Sequence, residues 1–276
     1  SQSITNQSIT NQSITNQSIT NQSMSVKVIA LIPARYASTR FPGKPLADLL
    51  GKPMIQHTYE RVGRARGLTE VLVATDDVRV AEAVRGFGGQ VVMTSADHLS
   101  GTDRIAEAVE SLDADIIVNI QGDEPLITPK AVETVVQPLL DDSAIPMTTL
   151  AHRIHQLEDL LNPHMGKVVF DARGFALYFS RSPLPFPGEA PSDSSFLVDT
   201  PYYNTVGMYG YRRDFLLTFA ALPPTPLEQT ERLEQLRALE HGYRIKVMET
   251  NYAPLGVDIP EDLEKAVKRF KEETEA

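Results

Sequence analysis

The sequence predicts an α/β fold organised as a doubly wound, mostly parallel sheet. Three observations carry that prediction. Apolar runs at 26–32, 71–74, 90–93 and 116–120 are almost unbroken, as in strands covered on both faces. Helical stretches at 54–65, 78–87 and 104–111 alternate with them, and that alternation implies right-handed crossovers between parallel strands. The first run stops at Pro33, where a basic, glycine-containing loop begins, the position at which open α/β sheets bind ligands.

Along the first half, Gly86, Gly88 and Gly89 punctuate the end of the second helix, since glycine takes up the left-handed turn that closes a helix. The second half reads differently. Strands at 167–170 and 175–180 flank the sequence Asp171, Ala172, Arg173, Gly174, a tight hairpin turn with glycine where the backbone reverses. Pro183, Pro185, Pro187, Pro191 and Pro201 then mark a loop excursion. A strand follows at 205–211. Leu227, Leu233, Leu236 and Leu239 at helical spacing predict one helix over 227–241, ended by Gly242. A last strand at 244–248 precedes a helix at 261–270 opened by Pro260.

Of the 276 residues, 26 are Lys or Arg and 36 are Asp or Glu, a net charge of −10. Residues 1–23 are an uncharged repeat of Asn-Gln-Ser-Ile-Thr. They lack the basic and apolar regions of a secretory signal, and their polarity predicts disorder. Met24 reads as a start, with the repeat either an upstream extension or a tag. Residues 24–276 then form one domain with a hairpin and loop excursion at about 167–205. The acidic balance argues against nonspecific nucleic-acid binding, which needs cations on phosphates. No apolar run reaches the ~20 residues that span a bilayer. The absence of cysteine excludes disulfides, thiolate nucleophiles and Cys-ligated zinc, and is compatible with a reducing, cytoplasmic location. His152 and His155 are the only close histidine pair and lack a third ligand, so they read as ordinary surface or core residues.

Three segments carry chemistry. The loop after the first strand holds Arg35, Arg40 and Lys44 with Ser38, Thr39 and Gly43. Cations and hydroxyl donors clustered at a sheet's ligand edge suit a polyphosphate, the alternative being a solvated basic loop. Neither Walker A nor Gly-x-Gly-x-x-Gly spacing is present after the first strand, which argues against a P-loop NTPase and against a dinucleotide dehydrogenase. The fourth strand ends in Gln121, Gly122, Asp123, Glu124 and Pro125. Asp123 is placed to hold Mg²⁺, which prefers carboxylate and phosphate oxygens; the alternative is that the pair caps the helix after Pro129. Asp258, after the last strand, poses the same choice between metal ligand and N-cap. Together the two aspartates and the basic loop favour metal-assisted phosphoryl or nucleotidyl transfer. Arg104, Arg181, Tyr209, Glu234 and Gln235 are weaker candidates: Arg104 sits in a first helical turn, usually a surface position, and Glu234 and Gln235 on the polar face of the 227–241 helix.

These residues resemble the 3-deoxy-manno-octulosonate cytidylyltransferase family. The resemblance rests on IPARYASTRFPGKPL from Ile32, QGDEP from Gln121, YFSR from Tyr178, GMYGY from Gly207, LEQLR from Leu233 and GVDIPED from Gly256, in unbroken order from about Val26. It implies a nucleotide-diphospho-sugar transferase-like fold, with the hairpin region supplying a homodimer contact. It implies transfer of CMP from CTP to the anomeric hydroxyl of a 3-deoxy-ulosonic acid, Kdo, with release of pyrophosphate. Mg²⁺ is the implied cofactor and lipopolysaccharide assembly the implied destination. By position, Ala34, Arg35, Arg40, Lys44 and Arg104 would meet the nucleotide, with Arg35, Lys44, Asp123 and Asp258 catalytic. Asp123 and Asp258 would hold the metal, while Gln121, Arg181, Thr205, Tyr209, Glu234 and Gln235 would line the sugar pocket. Family members commonly carry His where this chain has Thr205, which leaves 8-amino-Kdo or a sialic-type acid as the alternative acceptor.

Overall fold

The computed structural model describes residues 25–189 and 193–275; the 1–23 repeat, Met24 and Pro191 lie outside the described residues. In the first half the elements are β1 (Val28–Pro33), β2 (Asp48–Leu49), β3 (Lys52–Pro53), α1 (Met54–Val62), β4 (Glu70–Thr75), α2 (Val78–Gly86), β5 (Gln90–Met93), α3 (Gly101–Glu110) and β6 (Ile116–Asn119). The second half adds α4 (Pro129–Asp141), β7 (Met147–Arg153), α5 (Leu157–Leu161), β8 (Lys167–Phe170), β9 (Ala176–Ser180), β10 (Tyr203–Arg212), α6 (Arg213–Ala221), α7 (Pro226–Glu231), α8 (Leu236–Glu240), β11 (Ile245–Thr250) and α9 (Pro260–Glu275).

The main sheet runs β11-β7-β10-β6-β1-β4-β5, with the β8–β9 hairpin attached through β10. Pairing is parallel for β6-β1-β4-β5 and for β11-β7. β10 alone runs against its neighbours β6 and β7 in the main path. Alternate residues of β1 enter two separate cores. Val28, Ala30 and Ile32 pack with α1, α2 and α4, whereas Ile29 and Leu31 pack with α3 and α6. Helices therefore cover both faces, which is why β1 is apolar without alternation. From β1 the sheet grows to β4 and β5 on one side and to β6 on the other. That reversal opens a crevice at the carboxyl ends of β1 and β6.

Two expectations change. The predicted 227–241 helix is broken: α7 ends at Glu231, Arg232 is left-handed at φ 54°, and α8 begins only at Leu236. The cause is tertiary. Arg181 donates to the carbonyls of Glu231 and Arg232 at 2.7 and 3.0 Å, drawing them away from the helical ladder. β7 lies unannounced in the sequence because Thr148 and Thr149 interrupt its apolar pattern. Both are fully buried, and their hydroxyls donate to the carbonyls of Val135 and Met208 at 2.7 and 3.0 Å, so burial costs no unmet hydrogen bond.

Candidate active site

The basic loop leaves β1 and turns back on itself where the Gly43 amide donates to the Tyr36 carbonyl at 2.9 Å. Gly43 has φ +71°, a conformation that favours glycine, and a Cβ there would crowd the Tyr36 ring at 3.2 Å. The Arg79 guanidinium covers that ring, 3.4 Å from its centroid, and is itself gripped by the Asp77 carboxylate at 2.7 Å. Local packing thus fixes the loop that presents Arg35, Arg40 and Lys44.

The β6 end is anchored independently. The Ile120 amide donates to the Leu31 carbonyl at 3.0 Å, and Thr58 of α1 donates to the Gly122 carbonyl at 3.2 Å. Asp123 then faces the loop: Lys44 Nζ is 2.6 Å from Asp123 Oδ2 and 3.6 Å from Asp258 Oδ1. Arg40 completes the cluster, 3.1 Å from Asp258 Oδ1. Three segments far apart in sequence, Asp123 lying 79 positions beyond Lys44 and Asp258 218 beyond Arg40, therefore meet in one cluster. The helix-cap reading of Asp258 gives way, since Asp262 accepts from the amides of Asp258 and Ile259 at 3.0 and 3.2 Å and leaves the Asp258 carboxylate to the cations.

Ala34, Arg35, Arg40, Lys44, Arg104 and Asp123 line a cleft of about 460 Å³. Arg104 departs from its surface expectation. It is fully buried, with Nη1 bonded to Thr94 Oγ1 at 2.5 Å and 3.2 Å from Asp76 Oδ1. Its Nε and Nη2 have no hydrogen-bond partner among the described residues. Burial lowers its pKa, opposed by Asp76. A buried guanidinium with spare donors in a cleft wall suits a ligand rich in acceptors.

A second cavity, about 790 Å³, adjoins this cleft at Gln121 and is lined also by Arg181, Thr205, Tyr209, Glu234, Gln235 and Asp258. Every sugar-pocket residue expected from sequence is brought together there. Glu234 and Gln235 do so from the break between α7 and α8, not from a helix's polar face. Burial raises the pKa of Glu234, whose carboxylate accepts from Thr102 Oγ1 at 2.7 Å; burial likewise pushes the Tyr209 phenol up. Arg181 lines the wall, yet its donors go to the carbonyls of Glu231, Arg232, Pro163 and His164. Lys167, fully buried, donates to the carbonyls of Asn162 and Met165 at 2.8 and 2.6 Å. Burial lowers its pKa, and Arg181 adds to that. The two cations staple the 162–166 loop over the cavity.

Other wall residues carry little signal in the sequence. His164 and Asn204 sit in segments with no motif of their own. Glu124 reads there only as half of a capping pair. Its carboxyl is raised to about 7, first by burial and next by the charges of Asp123 and Asp258, against hydrogen bonds from Tyr252 and Leu255.

Among the described residues no group of three or more His, Cys, Asp or Glu side chains is arranged to hold a metal by protein ligands alone. Two aspartates already sharing one cation fit Mg²⁺, which takes one or two carboxylates and completes its shell from phosphates and water.

A sequence profile described as cytidylyltransferase matches residues 29–246. A 3-deoxy-manno-octulosonate cytidylyltransferase of Geobacter sulfurreducens is 56% identical, over 89% of this chain and 100% of its own length. One of Solibacter usitatus is 54% identical, over 90% of this chain and 96% of its own. Among solved structures, a CMP:2-keto-3-deoxy-manno-octonic acid synthetase complexed with CTP superimposes with TM-score 0.83 at 48% identity, covering 90% of this chain and 99% of that one.

Proposed function

The chain belongs to the 3-deoxy-manno-octulosonate cytidylyltransferase family, and from that premise we propose that it transfers CMP from CTP to the anomeric hydroxyl of Kdo. The observation that supports this most is the meeting of Lys44, Asp123 and Asp258 at the junction of the two cavities. The smaller cleft, with Arg35, Arg40 and Arg104, takes the nucleotide. The larger, with Gln121, Thr205, Tyr209, Glu234 and Gln235, takes the sugar acid.

The reaction is an in-line displacement. The anomeric oxygen forms a bond to the α-phosphorus while the bond from that phosphorus to the bridging oxygen breaks. Pyrophosphate leaves, and the hydroxyl proton passes to solvent. Arg35 and Lys44 offset charge on the phosphates and on the departing group. Asp123 and Asp258 are the residues that would hold Mg²⁺, which when bound supplies Lewis-acid polarisation of phosphate and hydroxyl oxygens. The loop and the sheet position both reactants, so orientation and preorganised charge supply most of the acceleration.

CMP-Kdo made this way would enter lipopolysaccharide assembly, and a cytoplasmic location is the reading that fits a CTP-dependent step. No helix among the described residues is long and apolar enough to cross a membrane. A homodimer formed through the hairpin region is supported by the exposed apolar side chains of Leu177, Phe186 and Val198 there.

Pyrophosphate release tests the reading with CTP and a panel of Kdo, 8-amino-Kdo and a nine-carbon sialic acid. Kdo is expected to be turned over fastest. Equal or faster turnover of another acid would move the acceptor assignment, and no release with any of them would overturn the proposal.

A further inference from the structure

Between β11 and α9 the chain runs from Asn251 to Ile259 without regular structure, carrying Pro254 and Gly256. Asp258 lies in this stretch. Its side chain is 52% exposed and pairs with the cations Arg40 and Lys44. The exposed pair with Arg40 holds it only weakly, and the Lys44 ammonium lies closer to Asp123 than to it. Asp262 holds its backbone locally, accepting from the amides of Asp258 and Ile259, but something else must tie the segment to the turn that carries Asp123.

Glu124 is that something. Its Oε2 accepts from the Tyr252 hydroxyl at 2.5 Å and from the Leu255 amide at 3.1 Å. One residue earlier, the Asp123 carbonyl accepts from the Val257 amide at 2.9 Å. Three bonds thus tie the irregular segment to the same short turn that carries Asp123. Tyr252 and Val257 are both buried, so the anchoring is shielded from water. Adjacent residues divide the labour: Asp123 offers its carboxylate to the cations, and Glu124 turns its own onto the opposing strand of chain.

We propose that Glu124 is a positioning residue, a clasp that holds Asp258 beside Asp123 and so sets the affinity of the pair for a divalent cation. This rests on the reading of those two aspartates as cation ligands. Groups that support metal ligands from behind typically change affinity by about 10–100-fold when removed.

The test compares wild type with Glu124→Ala, Glu124→Gln and Tyr252→Phe. Mn²⁺ binding in the presence of CTP is followed by electron paramagnetic resonance, and amide hydrogen exchange is followed at Val257 and Asp258. Glu124→Ala is expected to weaken Mn²⁺ binding at least about 10-fold and to speed exchange at both amides, with KM for CTP at saturating metal changed less than about twofold. Glu124→Gln retains a carbonyl oxygen that accepts both hydrogen bonds, and recovers most of the loss in both readouts. Tyr252→Phe, which removes a single hydroxyl, falls between and carries the test should Glu124→Ala not fold.

Glutamine as damaging as alanine would overturn the clasp in favour of a charge requirement at Glu124 itself. Unchanged Mn²⁺ binding and unchanged exchange in Tyr252→Phe and Glu124→Ala would overturn it outright. Failure of wild type to bind Mn²⁺ with CTP would instead overturn the cation reading and the affinity half of the proposal, while exchange at Val257 still decides the clasp.

Discussion

The cations of the two halves of the molecule are used in opposite ways. In the nucleotide half, Arg35, Arg40 and Lys44 stand on a loop at the mouth of a cleft. Among the described residues Lys44 and Arg40 pair with carboxylates, while Arg35 donates to the His98 carbonyl. In the sugar half, Lys167 and Arg181 spend their donors on backbone carbonyls of the 162–166 and 231–232 segments, and Arg237 is paired with Glu228. The first set can be surrendered to an incoming polyphosphate without disturbing the fold; the second cannot be withdrawn without loosening it. Charge type alone therefore does not identify a ligand-binding residue. What else its donors already satisfy does.

Four substitutions break or sharpen that contrast. Asp123→Asn removes one carboxylate from the cluster and is expected to lower turnover by at least about 10³-fold; near wild-type pyrophosphate release at saturating Mg²⁺ would refute its role. Arg181→Ala should act first on stability. The carbonyls of Glu231, Arg232, Pro163 and His164 lose their donor, and about 3 kcal/mol is expected to disappear from the urea-unfolding free energy. If Arg181→Ala instead unfolds like wild type and loses only affinity for the sugar acid, the division between the halves is wrong.

His164 is the middle case. It lines the sugar cavity from the stapled loop, and its ring makes no hydrogen bond among the described residues. His164→Ala is expected to raise KM for the sugar acid by about tenfold, the worth of one hydrogen bond to a charged group, with KM for CTP unchanged; steady-state kinetics in each substrate decide it. The smallest effect concerns Glu234. Its pKa is raised by burial, so the fold favours its protonated form. The native state is helped below the ordinary carboxylate pKa near 4.5, and that help is lost as pH rises through the raised value. Glu234→Gln removes this dependence, so its melting temperature should gain on wild type between pH 4 and pH 8. About 1 kcal/mol, or roughly 2–4 °C, is expected; a constant difference across that range would show that the carboxyl titrates normally.

Much of this was readable in the order of residues. β5 and β8 begin and end where their apolar runs do, and Gly174 sits at φ +78° in the predicted hairpin turn. The basic loop and Asp123 follow the ends of β1 and β6, where the sheet's geometry makes a crevice, whereas Asp258 stands eight residues past the end of β11 and reaches them through tertiary bonds. Hidden features share a different cause. Thr148 and Thr149 look like surface residues until their acceptors on α4 and β10 are known. The 227–241 stretch is built of good helix formers, and nothing local reports that Arg181, some fifty residues earlier, claims its carbonyls. Arg104 looks solvated for want of the same information. Long-range hydrogen bonds override local propensity in each case, and a single chain does not display them.

The reversed strand of the main path has a wider consequence. β10 carries Thr205 and Tyr209 on the sugar side and is hydrogen-bonded along β6, whose end delivers Gln121 and Asp123. Gly207 brings its backbone close above Gln121, where a Cβ would come within 3.5 Å of that side chain. The distance between the acceptor oxygen and the phosphorus is thereby gauged by a rung of the sheet, as marks are fixed on a ruler. Inserting or deleting a single residue in β10 would slide one reactant out of line with the other while leaving every side chain that contacts either of them intact.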